Sequence, residues 1–351
     1  MSTQTRLAVV GAGLVGIRHI EAISRATDVE LAAVVDTNDA ARDIVTNHKV
    51  KFYGSLQHMF EDQTPDGVVL ATPTGLHVQQ GLHCIDQGCP ILVEKPISTT
   101  ACEALKLVNH AALCNLPVLV GHHRRHNPLV QQAYEMIKEG KIGNIRMVQG
   151  TCWFYKPEDY FDNGPWRKKA GAGPISVNLI HDVDLMRYFL GEVVRVQAAA
   201  SKSIRGYENE DVAAAVLTFE NGAVGTISVS DAVVSPWSWE LTAKENPCYP
   251  ATSQSSLLIG GSEGSLSIPD LTLWTHSGER SWWNGISATS VPQDFSDPLV
   301  NQIVHFANVI HRQACPLVSG LEGMKTLQVI EAIQDSAAQG QAIDITQQVF
   351  D

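Results

Sequence analysis

Residues 6–16 read RLAVVGAGLVG, and a second apolar run, AAVVD, ends in Asp36. The glycines stand at positions 11, 13 and 16, and each does a job that a side chain would block. Gly11 permits a tight strand-to-helix turn, Gly13 lets backbone approach a pyrophosphate, and Gly16 lets the new helix pack on its strand. The pattern predicts a strand, a turn and a helix whose unpaired N–H groups and positive dipole end hold a dinucleotide. Asp36, at the end of the next strand, is placed to accept hydrogen bonds from both ribose hydroxyls. A carboxylate there repels a 2′-phosphate, and Thr37 and Asn38 supply no Arg to bind one, so NAD is favoured over NADP. Arg42 lies within reach of an adenosine phosphate but reads as a solvated helix residue.

At 351 residues the chain exceeds the usual size of a single core, so two domains are expected. With 44% hydrophobic and 18% charged residues it has the composition of a globular enzyme. The formal charge of -12 argues against nucleic acid or an anionic membrane as partner. A few polar residues precede the first strand and no run approaches transmembrane length, so neither signal peptide nor membrane span is expected. Cys84, Cys89, Cys102, Cys114, Cys152, Cys248 and Cys315 are scattered without a CxxC pair. That usage suits a reducing, cytoplasmic setting with no zinc site.

The first part of the chain alternates strand and helix signals. Apolar runs at 7–10, 31–35, 67–71, 91–93 and 118–120 fit a parallel sheet covered on both faces. Ser55 and Ser98 are read as N-caps of the helices that follow, and Gly88 and Pro90 as the end of another. The fold class is therefore α/β: a doubly wound Rossmann domain over 1–121, then an α/β domain over 122–351 with a large, mainly antiparallel sheet. The last helices are free to pack back on the first domain. Strands are expected at 193–201, 212–219 and 223–229, the last two joined by Asn221-Gly222. Shorter ones are expected at 239–243, 256–259, 265–268 and 271–275. The stretches 157–173 and 277–297 read as mobile loops.

Chemistry is expected where Glu94-Lys95-Pro96 ends the strand at 91–93, because strand ends in this fold face the cofactor. Partial burial beside a positive nicotinamide would lower the pKa of Lys95 and make it a usable base. A second cluster lies in ISVNLIHDVDLMRYFLG, residues 175–191. As a helix it buries Leu179, Val183, Met186 and Leu190 on one stripe and aligns Asn178, His181, Asp182 and Leu185 on the next. His181, near the helix start, is expected to stay neutral and relay a proton. The basic turn GHHRRHNP, residues 121–128, is not a metal site, since neighbours on extended chain point apart. All seven Trp lie between Trp153 and Trp283. Trp153, Tyr155, Trp166 and Trp237 are candidates for a wall that stacks on a substrate ring.

Taken together, GAGLVGIRH at 11–19, ATPTGLH at 71–77, EKP at 94–96 and the helix bearing His181 resemble the Gfo/Idh/MocA oxidoreductases, the family of glucose-fructose oxidoreductase and inositol dehydrogenase. The resemblance implies reversible hydride transfer between NAD(P) and a carbinol carbon of a sugar or cyclitol. It also implies a homo-oligomer, dimer or tetramer, assembled through the open sheet. Lys95 matches the catalytic lysine and His181 the active-site histidine. The cofactor side then includes Leu14, Val15, Thr37, Thr72, Thr74, His77, Glu94 and Lys95 besides the three glycines and Asp36. Many members carry an Asp four residues before this histidine, where the chain has Val177. An Asp-His pair is therefore not assumed, and Asn178 and Asp182 are the polar neighbours expected to orient substrate.

The leading expectation is an NAD-dependent dehydrogenase of a cyclic polyol or sugar, with Lys95 as base. One alternative is a dihydrodiol dehydrogenase whose ring carboxylate meets Arg125 or Arg167. The other is a dinucleotide sensor without turnover.

Overall fold

The computed structural model describes residues 4–43, 48 and 50–345. The chain divides into two units, Met1–Asn127 with Ser296–Leu327, and Pro128–Phe295 with Gln328–Asp351. The boundary expected after Gly121 thus falls after Asn127, and 296–327 belongs to the first unit.

The first unit holds a six-stranded parallel sheet in the order β3-β2-β1-β4-β5-β6. Its strands are β1 Thr5–Val10, β2 Val29–Val35, β3 Lys51–Tyr53, β4 Gly67–Leu70, β5 Ile91–Val93 and β6 Val118–Val120. Both faces are covered. Leu7 and Val9 pack with Ile20, Ile303 and Phe306, while Ala8 and Val10 pack with Cys84, Ile91 and Leu107. Alternate residues thus enter opposite cores, which is why the strands read as unbroken apolar runs. The strand order reverses between β1 and β4, so a crevice opens at their carboxyl ends. Ser55 caps Leu56–Asp62 as expected, accepting from the His58 N–H. The helix Ala101–Leu113 is capped by Thr100 rather than Ser98. Thr100 is extended and accepts from the Glu103 N–H, whereas Ser98 is buried ahead of the cap.

The second unit is built on nine strands in the order β14-β13-β12-β11-β7-β10-β9-β8-β15. They are β7 Ile145–Trp153, β8 Val193–Lys202, β9 Glu210–Phe219, β10 Val224–Ser230, β11 Leu257–Gly261, β12 Gly264–Ile268, β13 Thr272–His276, β14 Ile286–Ser290 and β15 Ile343–Asp344. All pairings are antiparallel except β7 with β10. Asn221-Gly222 turns the β9–β10 hairpin, with Gly222 at φ 82 and the Asn221 side chain accepting from the Ala223 N–H.

One expected strand is absent: 239–243 contains the helix Trp239–Thr242. The Ser238 carbonyl accepts from the Leu241 N–H and the Thr242 hydroxyl, so local bonds close a helical turn here. Conversely, β14 lies within the stretch read as a mobile loop and pairs along its length with β13.

Val148, Ile227, Val183, Met186, Ile330 and Ile333 join one core on one side of this sheet. A Cβ on Gly150 would stand 2.6 Å from Met186 Cε, so this glycine lets the helix Ile180–Leu190 lie close. The alternate positions Met147, Val212, Val216, Val224 and Leu258 are exposed. Among the described residues no helix is long and apolar enough to cross a membrane.

Candidate active site

The cofactor cradle forms at the carboxyl ends of β1 and β2. Gly11 has φ +89, and a Cβ there would meet the Ala71 carbonyl oxygen at 2.7 Å. A Cβ on Gly16 would stand 1.8 Å from the Gly11 carbonyl oxygen, so only glycine lets the helix Leu14–Arg25 start where it does. Around the missing Cβ of Gly13 the space is open to 4 Å. The helix has no side-chain cap at Gly13 and no acid in its first turn, and Leu14 and Val15 point outward at 77% and 42% exposure. Free N–H groups with room before them are what a pyrophosphate requires.

The Asp36 carboxylate accepts from the Ala12 N–H at 2.6 Å and the Asn38 N–H at 2.7 Å, which fixes its orientation. It borders a cavity of about 670 Å³ lined also by Gly11, Gly13, Thr37, Ser55 and Thr72. A dinucleotide's adenosine half fits these residues: anion-accepting amides on one side and a fixed carboxylate on the other. Arg42 sits outside that lining, ion-paired with Asp39 at 2.8 Å and stacked over Phe52. Thr74 also lies outside it, opening the turn Thr74–Leu76.

Two residues expected at the cofactor have their polar side-chain atoms engaged within the protein. His77 is buried, with Nε2 2.8 Å from the Thr72 carbonyl oxygen and Nδ1 2.9 Å from that of Pro96. Both ring nitrogens are therefore used to tie two loops together. Glu94 is likewise committed, one oxygen accepting from His19 Nε2 at 2.7 Å and the other from the Lys95 N–H at 3.1 Å. Burial pushes its carboxyl up, but the His19 hydrogen bond and the charges of His19, Lys95 and His123 pull it down to about 2. A fixed anion thus braces the backbone of Lys95, which is half-buried just past β5. The Lys95–Pro96 peptide is cis. Gly121 faces this carboxylate; a Cβ there would stand 2.8 Å from it. His19 closes the GAGLVGIRH motif a helical turn beyond Gly16, but its pairing with Glu94 appears only in the fold.

In the second unit, a π-helical turn Ile175–Leu179 runs into the helix Ile180–Leu190. The stripe of Leu179, Val183, Met186 and Leu190 is buried as expected. His181 and Asp182 are buried too, at 8% and 5% exposure, so Asp182 is no surface acid. Because the helical run begins at Ile175, His181 stands inside it rather than at its free amide end. The Asn178 side-chain oxygen Oδ1 accepts from Lys156 Nζ at 2.7 Å.

Of the four aromatic candidates, Trp153 and Trp237 meet in one ring contact. Trp153 donates to the Ser228 hydroxyl at 2.9 Å and meets Trp237 edge-on, on the face opposite buried Cys152, because its strand position alternates outward. Tyr155 is half exposed under Arg205, and Trp166 is 58% exposed beside Arg167. Both cations proposed for a ring carboxylate are committed elsewhere. Arg125 is buried against Glu322 at 3.3 Å, and Arg167 donates to the Tyr160 carbonyl and lies over its ring at 4.1 Å. No cluster of His, Cys, Asp and Glu fit to hold a metal occurs among the described residues.

Residues 5–122 match the oxidoreductase family with an NAD-binding Rossmann fold, and residues 130–267 match the GFO/IDH/MocA C-terminal domain. The chain belongs to the GFO/IDH/MocA oxidoreductase family. The rhizopine catabolism protein MocA of Rhizobium meliloti is 31% identical over 233 residues, 65% of this chain and 71% of that protein. Inositol 2-dehydrogenase of Mycolicibacterium gilvum is 30% identical over 214 residues, 59% and 58% of the two chains. The crystal structure of the WlbA dehydrogenase from Bordetella pertussis in complex with NADH and UDP-GlcNAcA is 26% identical, with a TM-score of 0.78 over 98% of this chain and 99% of that one. As a member of this oxidoreductase family, the chain is a nicotinamide-dependent dehydrogenase acting on CH–OH groups.

Proposed function

We propose that this protein oxidises, reversibly, one ring carbinol of a cyclic polyol or sugar, with NAD preferred over NADP. The observation that carries the proposal is the pairing of two features in one unit: a glycine cradle ending at Asp36, and Lys95 held at the end of β5 by a buried carboxylate. Bound NAD supplies the hydride acceptor. Lys95, as the neutral amine, takes the hydroxyl proton while the carbon–hydrogen bond of the same carbon gives up its hydride. In the reverse direction the ammonium returns that proton to the carbonyl oxygen. Asn178 holds a neighbouring substrate oxygen, and His181 orients or relays the proton.

Inositol 2-dehydrogenase among the relatives supports a cyclitol-like substrate. The commitment of Arg125 and Arg167 removes the support for a carboxylated diol. We further propose a homo-oligomer that covers the exposed apolar residues of the open sheet, working in a reducing cytoplasm. All seven cysteines are free thiols, which supports that setting. The test is cofactor reduction by purified protein with inositols, aldoses and an aromatic cis-dihydrodiol, using NAD and NADP in parallel. Turnover with an inositol or aldose and NAD is expected. Tight NAD binding without turnover on any alcohol would instead mark a sensor.

A further inference from the structure

Just beyond β7, Lys156 carries its ammonium into the interior of the second unit at 6% exposure. It donates to Asn178 Oδ1 at 2.7 Å, lies 3.4 Å from Asp231 Oδ2, and stands over the rings of Phe154 and Tyr160 at 5.6 and 4.9 Å. Arg205 completes the frame. It pairs with Asp231 Oδ1 at 3.0 Å and donates to the carbonyls of Lys156 and Asp231, fixing the backbone that bears the lysine. Burial lowers the Lys156 pKa while Asp231 opposes the shift, so this cation is kept in place at a cost.

An ammonium has donors and no acceptor, so only the carbonyl end of the Asn178 amide can face it. The NH₂ end is then the one left for other partners. We infer that Lys156 is a positioning residue of the substrate site, locking Asn178 as a hydrogen-bond donor toward a substrate oxygen. The inference rests on the proposed substrate role of Asn178 and adds a specificity. The ligand atom there must accept, as a hydroxyl or ether oxygen does. An ammonium in its place puts donor against donor, and a site built for one hydrogen-bonding group rejects its mismatch strongly.

The probes are the best inositol or aldose of the panel and its analogues with a single ring hydroxyl replaced by an amine or by hydrogen. In the wild type, one amine position is expected to lose about a hundredfold in kcat/KM, because a buried donor is left unpaired. Lys156→Met frees the amide to turn over, so KM for the parent rises about threefold, no more than in Asn178→Ala, with little change in kcat, and the penalty on the amine analogue shrinks to about tenfold. Lys156→Arg, still only a donor, restores discrimination. The double variant Lys156→Met/Asn178→Ala matches Asn178→Ala alone, since both act through one amide. Should Lys156→Met fail to fold, Lys156→Gln gives the same readout, because its amide also lets Asn178 turn. Unchanged discrimination in these variants, beside a raised KM in Asn178→Ala, overturns the inference and leaves Asn178 at the substrate. No change in KM for Asn178→Ala overturns both.

Discussion

The two units build function from different materials. In the first, the proposed cofactor site is mainly backbone: amides at the start of Leu14–Arg25, exposed because Gly11, Gly13 and Gly16 lack side chains. In the second, the proposed substrate site is made of side chains from distant places: Lys156 after β7, Asn178 in a π-helical turn, Arg205 before β9 and Asp231 after β10. A backbone site is written as a local spacing, whereas a side-chain site exists only once the sheet has folded.

The sharpest way to break this contrast is at Lys95, the side chain of the first unit proposed as the base. Lys95→Met keeps the stem and deletes the base, and is expected to lower kcat at least about a hundredfold with NAD affinity within a few-fold. Near wild-type turnover would sink the mechanism.

Next comes the brace beneath it. The Glu94 carboxyl lies at about 2 against an ordinary 4.5, so its contribution to stability is full above about 4.5 and lost as pH falls toward 2. Glu94→Gln is expected to cost on the order of 3 kcal/mol at neutral pH by denaturant unfolding, with the gap from wild type closing through the acid range. A gap that does not change between neutral pH and pH about 3 would show that this carboxyl is not held low in the folded protein.

Asp36→Ala, which removes a side chain from a backbone site, is expected to weaken NAD about tenfold and improve NADP relative to it. Equal loss for both cofactors in titrations would mean that Asp36 only braces Ala12 and Asn38. Smallest is Asn178→Ala, expected to raise KM several-fold with little change in kcat, while His181→Ala lowers kcat as well. Indistinguishable kinetics for the two would erase the division of roles within the second unit.

The legibility of the chain follows the same divide. The cradle, the parallel strands and the buried stripe through Val183 and Met186 were readable because each depends on neighbours a few residues away. Ser98 displaced Thr100 as a cap in that reading because both precede the same apolar stretch, and only the hydrogen bond to Glu103 decides between them. The sequence places His77 and Glu94 among the candidate cofactor residues but cannot say that their polar atoms turn to loop carbonyls and to His19. The face that Trp153 occupies was not readable, since a strand gives its residues to alternate faces and β7 was not anticipated. Lys156 carried one faint signal, a lysine set among aromatics in WFYKPEDYF, and its partners lie far along the chain.

The position of β7 governs the order in which the second sheet can be completed during synthesis. This nine-residue strand emerges first among the sheet's strands, yet its two neighbours are β10 and β11, which begin at Val224 and Leu257. Local hairpins such as β9–β10 can form early, but β7 stays open-edged until chain far downstream arrives. Pulse-labelled hydrogen exchange should therefore find β7 amides protected after those of the β9–β10 hairpin. The nascent chain spends that interval dependent on whatever in the cell shields an unpaired strand.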